Sequence, residues 1–120
     1  MKLNYITMMV RDLDQALTFY QDLVGLHILK RFNPGPGEIA FLANAATETK
    51  LELIQFDQVP KIATQGLVMS YLVTGTTLET LRKKAQDMGY QPSEIIDQAP
   101  KPAHFTVADP DGVTAEFSVA

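Results

Sequence analysis

Residues 3–10 alternate, with Ile6, Met8 and Val10 on one side of an extended chain and Tyr5, Thr7 and Met9 on the other, which predicts a half-buried strand. The period then changes. Leu13, Ala16, Leu17, Tyr20, Leu23 and Val24 recur at helical spacing, Asp12 and Gln15 form a capping-box start, and Gly25 supplies a stop. Three more extended segments are expected at 26–32, 39–43 and 50–56, the first two parted by Asn33-Pro34-Gly35-Pro36-Gly37.

The same plan runs a second time. A strand is predicted at 68–73, then a helix opened by a Thr76–Glu79 capping box, with Leu78, Leu81, Ala85 and Met88 as its stripe and Gly89 as its stop. A weak strand near 91–96, a loop at Pro100-Lys101-Pro102, and strands at 104–108 and 113–119 complete it. Asp109-Pro110-Asp111-Gly112 between the last two has the residues of a type I turn. Glu52 aligns with Glu116 and Ala40-Phe41 with His104-Phe105 at an offset of 64, and Tyr5 with Val68 at 63. The expected architecture is α+β: one domain, 1–120, made of two βαβββ modules, 1–57 and 66–120.

Alternation also sorts the strands by face. Leu51, Leu53, Met69, Tyr71, Val73, Ala115, Phe117 and Val119 fit the helix side. Glu52, Ile54, Phe56, Val68, Ser70, Leu72, Thr114, Glu116 and Ser118 then point the other way, a mixed set suited to lining a small-molecule cavity. The expected lining is Tyr5, Thr7, Met9, Phe56, Val68, Ser70, His104 and Thr114 around Glu52 and Glu116. For His104 a rim position is the alternative; His27 is expected at the surface.

Three readings of the two glutamates stay open. They are satisfied by hydrogen bonds from Tyr5, Ser70, Thr114 or water; or they are an acid–base pair whose mutual repulsion raises one pKa; or they form a weak oxygen-rich divalent-cation site. Met8 and Met69 read as core filler, Tyr5, Phe32 and Phe56 as packing or stacking groups, and the 33–38 loop as a turn or a lid. Arg82-Lys83-Lys84 sits late in a helix, where cations favour its dipole.

Composition narrows the field. A net charge of −4 with no basic cluster disfavours nucleic acid. With 0 cysteines there is no disulfide, thiolate metal site or cysteine nucleophile. No apolar run approaches a membrane span, and residues 1–10 lack the unbroken apolar core of a signal peptide, so a cytoplasmic protein is expected.

Val10-Arg11-Asp12-Leu13, Phe19-Tyr20, Gly25-Leu26, Leu51-Glu52-Leu53 and the closing Asp109-Pro110-Asp111-Gly112 with Glu116 resemble the vicinal oxygen chelate superfamily, the glyoxalase, bleomycin-resistance and extradiol-dioxygenase group. The resemblance implies an open mixed β-barrel with helices outside, a homodimer, and in metal-dependent members a divalent ion held by the first and last strands of each module. Glu52 and Glu116 match the last-strand ligands. The first-strand positions hold Tyr5 and Val68 where histidine is usual. The resemblance therefore implies a small-molecule-binding protein of bleomycin-resistance type, with no cofactor expected and no tightly bound metal. A lyase or isomerase of glyoxalase type is the alternative, with Glu52 and Glu116 as proton-transfer groups or metal ligands; a regulatory domain with a vestigial cavity is the third.

Overall fold

The computed structural model describes residues 1–120, which divide into two compact units, Met1–Ile62 and Ala63–Ala120. In the first unit β1 (Tyr5–Met9) leads to α1 (Leu13–Thr18), then to β2 (His27–Phe32), β3 (Gly37–Ala43) and β4 (Lys50–Phe56). The sheet order is β1-β4-β3-β2, with β1 parallel to β4 and the other neighbours antiparallel. Asp12 caps α1 by accepting the Gln15 N–H at 3.0 Å. Gln55 at the end of β4 accepts the Leu13 N–H at 2.7 Å, which fixes the helix start against the sheet.

The helix continues as a π-helical turn, Phe19–Leu23. The wider turn allows two successive aromatic residues, Phe19 and Tyr20, to be fully buried, with their rings edge to face at 4.9 Å. A strict helical period leaves Phe19 off the apolar stripe, and the π turn places it in the core. Gly25 ends the segment with φ 86°, and the Leu26 N–H reaches back to the Tyr20 carbonyl at 2.9 Å.

The second unit holds β5 (Val68–Leu72), α2 (Leu78–Asp87), β6 (His104–Ala108) and β7 (Thr114–Ser118). Its sheet order is β5-β7-β6, with β5 parallel to β7 and β6 antiparallel. Three expectations are corrected here. The cap of α2 is Thr77, which accepts the Thr80 N–H, so Glu79 is one position too early to complete a capping box. The 91–96 segment is not a strand. Ser93 pairs with Thr106 through backbone and side chain, and Ile96 bridges to His104, but Pro92 has no N–H to give and the ladder stays broken. Val119, expected on the helix side, lies past the end of β7 and is exposed.

The fold is α+β, with two open sheets and two helices; neither sheet closes on itself. Met8, Val10, Leu13, Leu42 and Leu53 fill the first core. Tyr71, Phe117 and Phe105 form an aromatic layer in the second, with neighbouring centroids 5.8 and 5.2 Å apart. No helix is long and apolar enough to cross a membrane.

Candidate functional site

Pairing in the second sheet places nine residues on one face in three rows. Val68 lies beside Thr114 and Ala108, Ser70 beside Glu116 and Thr106, and Leu72 beside Ser118 and His104. Glu116 is therefore the centre of this face. The Ser70 hydroxyl donates to its Oε1 at 2.8 Å, and the Lys101 ammonium lies 2.9 Å from its Oε2. Lys101 is the chief cause, with Ser70 next, of a carboxyl held below its ordinary value of 4.5; burial opposes them and the charge of His104 assists them. The repulsion reading asks for a rise at one of the two glutamates, and Glu116 is shifted the other way.

His104 is buried and is not a solvated rim residue. Its Nδ1 lies 2.8 Å from the Pro102 carbonyl. A carbonyl can only accept, so Nδ1 carries a proton. Val68 and Leu72 are exposed at 52% and 63%, so apolar surface flanks the central carboxylate.

The first sheet repeats the central pair. Thr7 stands beside Glu52 and Phe41, with Met9, Ile54 and Ile39 in the next row. The Thr7 hydroxyl donates to Glu52 Oε1 at 2.5 Å. Tyr5 packs its ring edge to face on Phe41 at 5.3 Å, which accounts for it as a packing group. Phe56 lies one row beyond Ile54 on the same face, opposite Gly37. There a Cβ would come within 2.0 Å of the Gln55 carbonyl oxygen, so only glycine fits.

Each sheet thus gathers its own expected residues: Tyr5, Thr7, Met9 and Glu52 in the first, and Val68, Ser70, His104, Thr114 and Glu116 in the second. The sequence reading missed Lys101. A signal was available, since Lys101 is the sole lysine or arginine in residues 91–120 and sits between two prolines. The other singled-out groups are accounted for without a ligand. His27 is exposed as expected. Arg82 donates to the Ser93 carbonyl and pairs with Glu94, and Lys83 pairs with Asp87. In the 33–38 loop, Asn33 accepts the Gly35 N–H in a local turn.

The donors do not fit a resident divalent ion. In the second sheet Val68 has no donor atom and one oxygen of Glu116 already holds an ammonium; in the first, Tyr5 offers only a neutral phenol beside Glu52. No group of three or more His, Cys, Asp or Glu side chains gathers that could hold a metal.

A family model described as Glyoxalase/Bleomycin resistance protein/Dioxygenase superfamily matches residues 2–117. A curated relative, the uncharacterized protein YwbC of Bacillus subtilis (strain 168), is 26% identical over 97% of this chain and 95% of its own length. Among solved structures, TnmS3, an antibiotic binding protein from Streptomyces sp. CB03234, superposes with a TM-score of 0.76 at 20% identity, covering 99% of this chain and 95% of that one. The trypanothione-dependent glyoxalase I of Leishmania major gives 0.79 at 21% identity, covering 99% and 86%. At these identities the two structures share the fold with this chain.

Proposed function

The chain belongs to the glyoxalase/bleomycin resistance protein/dioxygenase superfamily, and on that premise we propose that it is a small-molecule-binding protein that works without a tightly bound metal. The observation that carries this reading is the Glu116 face. A carboxylate fixed by Ser70 and Lys101 is flanked by the exposed apolar side chains of Val68 and Leu72. Such a face offers orienting polar groups and apolar contact area together. TnmS3 is described as binding an antibiotic, a precedent for binding in this fold. The lyase or isomerase reading draws less support, because a carboxylate held ionised by Lys101 is a weak base and a poor acid near neutral pH. In this reading the protein is a homodimer, built through the open edges of its sheets.

Amide spectra of labelled protein, titrated with a panel of amphipathic small molecules, test the reading. Shifts should concentrate at Val68, Ser70, Leu72 and Thr114, and at Thr7 and Met9. Shifts confined to the helix surfaces, or none at all, overturn it. Elemental analysis of dialysed protein should find well under one equivalent of zinc, nickel, iron or manganese. A stoichiometric metal that is lost in Glu52→Ala overturns the metal-free part, and a monomer by light scattering overturns the dimer.

A further inference from the structure

We propose that Lys101 is the ligand-recognising cation of the Glu116 face, and that the ligand taken there is an apolar molecule bearing a carboxylate or similar oxyanion. This deepens the small-molecule reading above and rests on it.

The argument starts from which atoms of the cluster remain available. Both oxygens of Glu116 are engaged, Oε1 by the Ser70 hydroxyl and Oε2 by the Lys101 ammonium. The Glu116 side chain is 11% exposed and that of Lys101 is 56% exposed. The carboxylate is therefore the inner member of the pair and the ammonium the outer one. An ammonium has three N–H donors, and Glu116 takes one of them. A molecule arriving at this face meets N–H donors with a positive charge behind them.

The lysine is also placed rather than free. Its neighbour Pro102 is held through the Nδ1–H of buried His104 at 2.8 Å, and the Ala103 carbonyl accepts the Val119 N–H at 3.0 Å. These two anchors fix the backbone just after Lys101, so less loop entropy is lost when its side chain engages a ligand. The surrounding charge agrees with an anionic ligand. Glu116 is the sole acidic residue among the nine positions of this face, and Lys101 neutralises it. A cationic ligand would have to displace Lys101 to reach a carboxylate. An anion adds to the arrangement as it stands, giving carboxylate, ammonium and oxyanion in line. Val68 and Leu72, on the same face as Glu116, supply contact for the apolar body.

The probes are octanoate and octanamide, which share a tail and differ in charge. Each is titrated into labelled wild-type protein, K101M and K101R, with amide shifts at Val68, Ser70, Leu72 and Thr114 as the readout. The expected result is about tenfold tighter binding of octanoate by wild-type protein, a gap of one charge-assisted contact. K101M should bring the two affinities together, and K101R should keep them apart. The ratio within one protein is the quantity read, so a general loosening of the fold does not mimic the effect. Equal affinities at this face in wild-type protein overturn the proposal and leave the small-molecule reading standing. So does a preference that survives in K101M. If neither compound moves these residues, the assignment of the face itself falls, and the proposal falls with it.

Discussion

In the first module the hydroxyl–carboxylate pair, Thr7 with Glu52, stands beside the ring of Phe41; in the second the matching pair, Ser70 with Glu116, stands beside Thr106 and under a lysine. The two pairs occupy equivalent positions, since Thr7 and Glu52 are register partners, as are Ser70 and Glu116. What differs is the chain before the third strand of each module. The first module has a full strand, β2, followed by Asn33-Pro34-Gly35-Pro36. The second has only the Ser93 and Ile96 pairings, followed by Pro100-Lys101-Pro102. A loop with glycine between its prolines delivers no charge, whereas one with lysine there delivers a cation to the central carboxylate. In the first module two strand lysines share that face: Lys30, 4.8 Å from the Phe32 ring centroid, and Lys50, the register partner of Tyr5. The two modules thus share the central pair, and only in the second does a loop lysine form a salt bridge with its carboxylate.

The largest effect that sharpens this comparison lies in the two cores. The second sheet has three strands and rests on the stack of Tyr71, Phe117 and Phe105, whereas the first has four and receives its buried aromatics, Phe19 and Tyr20, from the helical segment. Phe117→Ala should cost about 3–5 kcal/mol by chemical denaturation. Leu53→Ala, equally buried in the middle of the first sheet, should fall within about 2–5 kcal/mol and below the loss for Phe117→Ala. The reverse order would show that the aromatic layer is not the main support of the smaller sheet.

A smaller effect separates the helix starts. Asp12 and Thr77 each accept an N–H three residues on. Thr77→Ala should lower stability by about 1 kcal/mol, and Thr76→Ala by less than about 0.5 kcal/mol. Equal losses in thermal melts would put the cap back where spacing alone places it.

That cap illustrates what the chain makes legible. Adjacent threonines at 76 and 77 with a glutamate at 79 satisfy a capping-box pattern, and the backbone decides which residue is extended. The alternation that put Glu52 and Glu116 on the face opposite the apolar core is local and regular, so it could be read directly. The 91–96 segment could not. Its few extended-chain residues carry a proline, and Ser93 replaces part of the ladder with a side-chain bond that no periodicity reports. Phe19 escaped because a π turn breaks the helical period that was used to find the stripe. The pairing of Lys101 is not legible in the sequence because a loop cation acquires its partner only through tertiary structure.

The carboxylates supply the next test, with an opposite sign for the two views of Glu116. Its folded pKa lies below the ordinary 4.5, so its ionised form contributes stability that is fully present above that value and is lost as pH falls through the folded pKa. Glu116→Gln removes this contribution and leaves Lys101 without its anion. At pH 7 the variant should be less stable by somewhat under 1 kcal/mol, a modest figure because the lysine side is half exposed. The gap should narrow below 4.5 and close once wild-type Glu116 is protonated. Mutual repulsion between carboxylates demands the contrary, a variant that gains on wild type as pH rises. Urea denaturation of both proteins across this range decides between them.

The smallest expected effect tests whether the first module lacks what the second has. The Glu52 side chain accepts the Thr7 hydroxyl and forms no salt bridge, so substitution by glutamine keeps an oxygen where Oε1 stands and strands no salt-bridged cation. The amide can accept from the same hydroxyl, and its NH₂ can be solvated, because the position is only half-buried. Glu52→Gln should therefore stay within about 0.5 kcal/mol of wild type at pH 7. The informative quantity is the difference from Glu116→Gln under the same conditions. If the loop lysine is what distinguishes the modules, the two substitutions separate, and adding K101M to Glu116→Gln recovers part of the loss while adding it to Glu52→Gln does not. A Glu52→Gln loss as large as that of Glu116→Gln would mean that the hydroxyl–carboxylate pair itself, common to both modules, carries the energy, and the asymmetry assigned to Lys101 would fail.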